Sequence, residues 1–420
     1  MLESFHTLAY QPINKLIRNT MRLAHKILLH IAKILTFFIP IRSIRRKVRG
    51  NIIDFLAFFP LLFVRGSNLH KRLLAIIALS NSYQYKRGEY RFPNYGEDVF
   101  HIQNVNENMG GGGTLLLEFY SRYDMIKIEQ TLELFCDEYS KMILVSALIH
   151  RYSNLQGLYI IHFYEHIWKY YYLLEASLDT NKSIESSNGK LYYIDLSLSK
   201  NINLGNFKLY YSVYGIFVNF ILEQYAYRHL VYAKDGDYVI DGGACYGDTA
   251  LYFAHKVGQG GKVFSFEFNE DNLEIFHKNM SLNSDIKNIT LFTNALYSDS
   301  KTKVYHTGSG GGSKLSLESQ DNQEYTMSVS IDDLVDNGKI DRVDFIKMDI
   351  EGSELAALKG AEKTLKTYNP KIAICLYHSD SDYYDIPLYL KSILPHYEFY
   401  CDHFTLGVCE SVLFGRPSNS

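Results

Sequence analysis

The sequence predicts an α/β protein whose C-terminal part is a Rossmann-like, mostly parallel sheet. Three observations predict it. From residue 237 onward, β-branched runs alternate with amphipathic helical segments. A glycine-rich turn joins the first of these strands to the first helix, and the chain closes on two strands with no helix between them. Strand–helix alternation is what parallel strands with crossover helices leave in a sequence.

The elements follow in order. Strand DYVID (237–241) leads to helix DTALYFAHKV (248–257), and KVFSFE (262–267) leads to EDNLEIFHKNMSLN (270–283). NITLFTNAL (288–296) is the third strand. VDFIKMDI (343–350) precedes one helix over 353–368, and KIAICLYH (371–378) precedes a helix over 386–397. EFYCDHF (398–404) and ESVLFG (410–415) complete a seven-stranded sheet with a terminal antiparallel hairpin. The domain so defined runs from 205 to 420.

Upstream, residues 81–204 read as a mixed, largely helical accessory region. DEYSKMILVSALIHRYSN (137–154) has the form of a capped helix, and KLYYIDLSL (190–198) and FKLYYSVY (207–214) that of strands. The tetraglycine Gly110–Gly113 lacks the Lys-Ser/Thr that would make a phosphate cradle. Trp168 and its tyrosine neighbours read as core.

Net charge is −3 over 420 residues, but its distribution is uneven. Residues 1–80 hold thirteen Lys/Arg against two acids, a net +11 that leaves −14 for the rest. Residues 13–38 form an amphipathic helix with Lys15, Arg18, Arg22, Lys26 and Lys33 within roughly an 80° arc and Ile and Leu opposite. The apolar run 52–64 contains Asp54 and Pro60 and falls short of the roughly 20 residues a spanning helix needs. No secretory signal pattern opens the chain. Peripheral contact with an anionic membrane surface and packing on the body or on a second subunit both fit this head. Nucleic acid is not expected, because stacking aromatics are not interleaved with the basic residues. The five cysteines make no metal-type spacing and suit a reducing cytoplasm.

The sharpest local signal is VIDGGACYGDT (239–249). Asp241 ends the strand, Gly243 and Gly247 permit a tight turn and close ligand approach, and Asp248 and Thr249 open the helix. Glu267 ends the next strand about 20 residues on, where a carboxylate accepts ribose hydroxyls. A dinucleotide site would want GxGxxG, but here Ala244 replaces the glycine that lets a pyrophosphate approach. S-adenosylmethionine has no pyrophosphate, so the turn favours it over NAD. Asn294 and Ala295, at the end of the third strand, are further candidates for cofactor contact.

Two more signals point to the reacting centre. IKMDIEGSE (346–354) puts Asp349 and Glu351 at the C-terminal end of a buried strand, in the crevice where such folds hold ligands. Either could instead cap the following helix. LYHSDSD (376–382) puts His378 at the end of the neighbouring strand, as a base, a metal ligand or a hydrogen-bonding loop residue.

In this order and spacing, DGGACYGDTAL, FEFNEDN, FIKMDIEGSE, ALKGAE and YHSDSDYYDIP resemble the FkbM-type methyltransferases. The likeness covers about residues 126–415 and leaves 1–80 unexplained; Phe268 stands where the family commonly has proline. It implies a class I fold and O-methylation of a hydroxyl on a cell-surface glycan or related metabolite. His378 or Asp349 is then the expected base, with Glu351 positioning the acceptor. A divalent cation on Asp349 is an alternative that no His/Cys cluster indicates. An NAD-linked oxidoreductase of glycan precursors and a catalytically silent docking subunit are the rival readings. A homo-oligomer is left open.

Overall fold

Runs such as Val239-Ile240, Phe345-Ile346 and Ile372-Ala373-Ile374 lack polar alternation, which demands cover on both faces of a sheet. A computed structural model places them at the centre of a seven-stranded sheet. The structure describes residues 119, 122–153, 165–176, 178–187, 189–198, 204–307, 314–316, 325–405 and 407–418. The basic head, the tetraglycine and the Trp168 side chain lie outside what is described.

Two compact units divide the chain, one of residues 1–133, 141–159 and 406–408, the other of 134–140, 160–405 and 409–420. The described residues of the first come largely from helices Met125–Leu134 and Glu138–Ser153, the second close to the predicted 137–154. Within it, the Tyr123 hydroxyl donates to the Leu148 carbonyl at 3.0 Å.

The second unit holds the sheets. Strands β1 (Ser183–Ser186), β2 (Gly189–Asp195) and β3 (Lys208–Tyr211) form an antiparallel three-stranded sheet. Two sequence expectations are shortened here. The strand expected to reach 198 ends at Asp195, because residues Leu196–Leu198 close into a 3-10 turn. The strand expected over 207–214 ends at Tyr211, because the Ser212 hydroxyl accepts from Gly215 N and starts helix Val213–Ile216, followed by a π turn at Phe217–Ile221. The free edge of β3 is satisfied by two amides: Asn279 accepts from Tyr210 N at 2.7 Å, and Asn283 from Lys208 N at 2.9 Å. Both side-chain amides also donate back to the carbonyls of the same residues, so that edge is closed to further pairing.

Strands β4 (Tyr238–Gly242), β5 (Lys262–Phe266) and β6 (Ile289–Phe292) start the main sheet. β7 (Ala295–Leu296), β8 (Lys303–Thr307), β9 (Lys314–Ser316) and β10 (Tyr325–Val329) form a separate four-stranded sheet that sequence reading missed. Residues 288–296 are therefore two strands rather than one. The short β7 leaves the main sheet to pair in parallel with β10.

β11 (Phe345–Met348), β12 (Lys371–Cys375), β13 (Tyr397–His403) and β14 (Ser411–Pro417) complete the main sheet in the order β13-β14-β12-β11-β4-β5-β6. Only β14 runs against its neighbours β12 and β13. This is the strand order of class I methyltransferases. The single helix expected over 353–368 is two, Glu354–Lys359 and Glu362–Tyr368. They part at Gly360, where a Cβ would stand 2.2 Å from the Tyr297 carbonyl oxygen. The helix expected over 386–397 lies earlier, at Asp382–Ile393.

Candidate active site

The C-terminal ends of β4, β5, β11 and β12 open on one cavity of about 190 Å³. Its wall includes Gly243, Asp248, Thr249, Glu267, Asn294, Asp349 and Glu351 from the sequence-derived set, and also Asn219, Tyr225, Lys347, Tyr377 and Glu410. Asp241, Gly247, Ala295 and His378 are outside the wall and act from behind it.

The glycine turn after β4 is as tight as its residues suggest. Gly243 has φ 78°, and a Cβ there would fall 1.9 Å from the Asp349 carbonyl oxygen. Only glycine lets the turn lie against the end of β11. Gly247, φ 83°, is the N-cap of helix Asp248–Val257. Asp241 has no exposed surface. It accepts from the Thr249 hydroxyl at 2.9 Å and from Ser265 at 3.2 Å, and pairs with Lys347 Nζ at 3.2 Å. Expected as a ligand contact, Asp241 instead fixes the strand end and the threonine.

Lys347 breaks an otherwise apolar strand and is 1% exposed. It donates to the carbonyls of Gly242 at 2.9 Å and Gly243 at 2.7 Å, and its charge is paired with Asp241 at 3.2 Å.

Glu267 is held at the end of β5. One oxygen accepts from Phe268 N and Asn269 N, both at 2.8 Å, and the other from the Asn272 amide at 3.2 Å. Burial raises its carboxyl against those hydrogen bonds. Asp248 accepts from Asn219 at 2.6 Å through Oδ2, while its buried Oδ1 has no hydrogen-bond partner. Burial, countered in part by Lys347, pushes this carboxyl up to about 6. Asn219 sits on the π turn, an irregularity that recurs at functional sites. Asn294 donates to the Met327 carbonyl at 3.2 Å, whereas Ala295 is buried in β7 and its neighbour Leu296 reaches the wall.

Past β11, Asp349 accepts from the Tyr377 hydroxyl at 2.7 Å and from Tyr225 at 3.0 Å. His378 Nε2 lies 3.5 Å from Asp349 and 3.4 Å from Glu351. Its Nδ1 lies 3.0 Å from Glu354 Oε1, an ion contact off the hydrogen-bond axis. The helix that follows β11 has Ser353 as its N-cap with no side-chain cap hydrogen bond, and the fully buried Glu354 instead braces the turn before it, accepting from Ile350 N at 2.7 Å and Gly352 N at 3.0 Å.

The charges sort accordingly. Burial works against an imidazolium at His378, but Glu354, Asp349 and Glu351 outweigh it and raise the group to about 10. His378 is therefore a cation at neutral pH rather than the base expected from sequence. Burial also opposes ionised Asp349, yet His378, Lys347 and the two phenols hold it below the usual carboxylate range. Burial pushes Glu351 up to about 8 against the pull of His378. Two groups bring metal-ligand atoms within 4.8 Å, Asp349–Cys375–Glu410 and Asp349–Glu354–His378. In both, Asp349 is already bound by tyrosines, and Glu354 by backbone N–H groups.

Residues 241–398 match the family model of the methyltransferase FkbM domain. The matched segment makes up less than half of the chain. It contains every residue of the sequence-derived site set and leaves out Asn219, Tyr225 and Glu410. Similar solved structures include an FkbM methyltransferase from Methylobacillus flagellatus, at 20% identity over 69% of this chain and 58% of that one, with a TM-score of 0.45. An S-adenosylmethionine-dependent O-methyltransferase from Thermotoga maritima shares 16% identity over 57% of this chain and 78% of its own, TM-score 0.31. Aeropyrum pernix fibrillarin shares 12% over 46% and 74%, TM-score 0.30. The chain thus spans 58% of the length of the Methylobacillus protein. No curated protein matches the sequence.

Sequence reasoning missed Lys347, Asn219, Tyr225, Tyr377 and Glu410. Lys347 left a legible sign, a charge inside an apolar strand, and Tyr377 adjoins His378. Asn219, Tyr225 and Glu410 lie within the span of the family likeness, but nothing in their local pattern marks them as site residues, since only the fold carries them to the strand ends.

Proposed function

We propose that this protein is an S-adenosylmethionine-dependent O-methyltransferase acting on a hydroxyl of a glycan or related metabolite. The observation that carries it is the pairing of a fixed Glu267 carboxylate with the unpartnered Asp248 oxygen beside a turn that carries Ala244. The first suits ribose hydroxyls and the second suits an α-ammonium; the buried Ala244 leaves no place for a pyrophosphate. Wall acids that include the ionised Asp349, with the lysine already neutralised by Asp241, suit a cationic sulfonium. Phe266, Phe268, Leu296 and Ile350 supply an apolar surface for a purine.

S-adenosylmethionine supplies an activated methyl group, so the chain's own work is positioning and proton handling. Tyr225 and Tyr377 hold Asp349 in place, and His378 sets the charge of Asp349 and Glu351. Glu351 has φ 56°, a strained conformation that turns it toward the cavity, where it can position an acceptor hydroxyl. The glycan class rests on the motif resemblance, supported by a wall of carboxylates and phenols that pair with hydroxyls. Peripheral contact of residues 1–80 with the inner face of a membrane belongs to the same reading. Among the described residues no helix is long and apolar enough to cross a membrane.

Calorimetric titration with adenosylhomocysteine and with NAD tests the proposal. Adenosylhomocysteine should bind and NAD should not; the reverse result identifies an oxidoreductase. Tight adenosylhomocysteine binding with no methyl transfer to any hydroxyl acceptor would instead leave a docking subunit.

A further inference from the structure

Of the seven described non-glycine residues with positive φ, three, Cys245, Glu351 and Glu410, line the cavity. Glu410 is the least expected. It precedes β14, outside the matched domain segment, with φ 68°, a conformation that persists only where its surroundings impose it. Phe404 N donates to its carbonyl at 3.0 Å, and the Gln224 side-chain amide donates to its Oε2. These two contacts bring its carboxylate within 4.8 Å of both Asp349 and the Cys375 sulfur.

The five wall carboxylates differ in what holds them. Glu267 is occupied by three N–H donors, and Asp248 accepts from Asn219. Asp349 is bound by two phenols, and Glu351, pushed up to about 8 by burial, has the His378 cation 3.4 Å away as a direct ionic partner. Glu410 has a neutral amide as its donor and the negative Asp349 as its neighbour. A proton is best accepted where the charged form has least support and a nearby carboxylate favours the neutral one.

We propose that Glu410 is the general base that takes the acceptor's proton, with Asp349 as the charge that stabilises it once protonated. This rests on the methyltransferase reading above. The acceptor O–H bond breaks toward a Glu410 oxygen as the acceptor oxygen takes the methyl group, and the S–C bonding pair returns to sulfur. A methyl ether, adenosylhomocysteine and a neutral Glu410 carboxyl result, and the carboxyl then returns its proton to solvent. The groups facing Glu410 are Asp349 and Glu351, the His378 imidazolium, the Cys375 thiol, and the Tyr211, Tyr214, Tyr225 and Tyr377 phenols. Burial and Asp349 together push the Glu410 carboxyl up to about 8, in the range a base needs at neutral pH.

The test compares the full chain with Glu410→Gln and Glu410→Asp, using methyl glucoside as acceptor. The glutamine variant should bind adenosylhomocysteine as the parent does and lose about 10²–10⁴ in kcat, with partial recovery in the aspartate variant. Infrared difference spectra of the adenosylhomocysteine complex across about pH 6–10 should show titrating carboxylic C=O intensity in the parent that falls by the Glu410 share in Glu410→Gln, the Glu351 share remaining. Parent and glutamine variant with equal kcat, or with the same titrating intensity, would overturn the assignment. If the glucoside is not methylated, the intensity alone decides. Failure of the parent to bind adenosylhomocysteine would strike the methyltransferase reading instead.

Discussion

Lys347 Nζ stands 3.2 Å from Asp241 Oδ1, with both side chains shut off from solvent at 1% and 0% exposure. The pair joins the centre of β11 to the end of β4. The same ammonium holds the Gly242 and Gly243 carbonyls. One lysine therefore ties the glycine turn to the strand that carries Asp349.

Breaking this pair should be costly, because the survivor is a buried, uncompensated charge. Lys347→Met and Asp241→Asn should each lose about 3–5 kcal/mol in denaturant unfolding, while the double variant loses less than the two together. A Lys347→Met protein that unfolds at the parent midpoint would show that the pair adds nothing.

Glu267→Gln keeps an oxygen for the backbone donors but loses the charge that a ribose would meet. Adenosylhomocysteine binding should weaken by more than tenfold, about 1.5–3 kcal/mol for a hydrogen bond to a charged group, with melting temperature little changed. Calorimetry at one temperature suffices, and equal affinity would remove Glu267 from the cofactor site.

His378 carries a pH signature of its own. Its ordinary pKa is about 6.5 and its folded value is raised to about 10. A group raised on folding stabilises fully below the unfolded value and loses that contribution as pH climbs through the folded one. The stability gap between the parent and His378→Gln should thus be widest near about pH 6 and close by about pH 10. A gap that stays constant across this range would mean that His378 is neutral in the folded protein.

The basic head can be examined without an acceptor. Each Lys or Arg near an anionic surface contributes about 1 kcal/mol, and the apolar stripe of 13–38 adds burial at headgroup depth. The full chain should co-sediment with phosphatidylserine vesicles and release as salt rises. A chain that ignores such vesicles at low salt would assign the stripe to protein packing.

The sequence by itself determined the class of the fold and the local chemistry of its turns. Continuous apolar runs can only be strands covered on both faces, and Gly243, Gly247 and Glu267 are tied to backbone positions that local spacing reveals. Asp349, Glu351 and His378 were legible for the same reason, as polar residues at the ends of buried strands. Their protonation was not legible. Whether His378 is a base or a cation depends on Glu354, Asp349 and Glu351 closing around it in the dark of the interior, and a sequence does not contain distances. Tertiary structure also decided that Asp241 is buried behind the cavity wall, paired with Lys347. It brought in Asn219, Tyr225 and Glu410, which no local pattern marks, because electrostatics and burial act through space while sequence patterns record only neighbours along the chain.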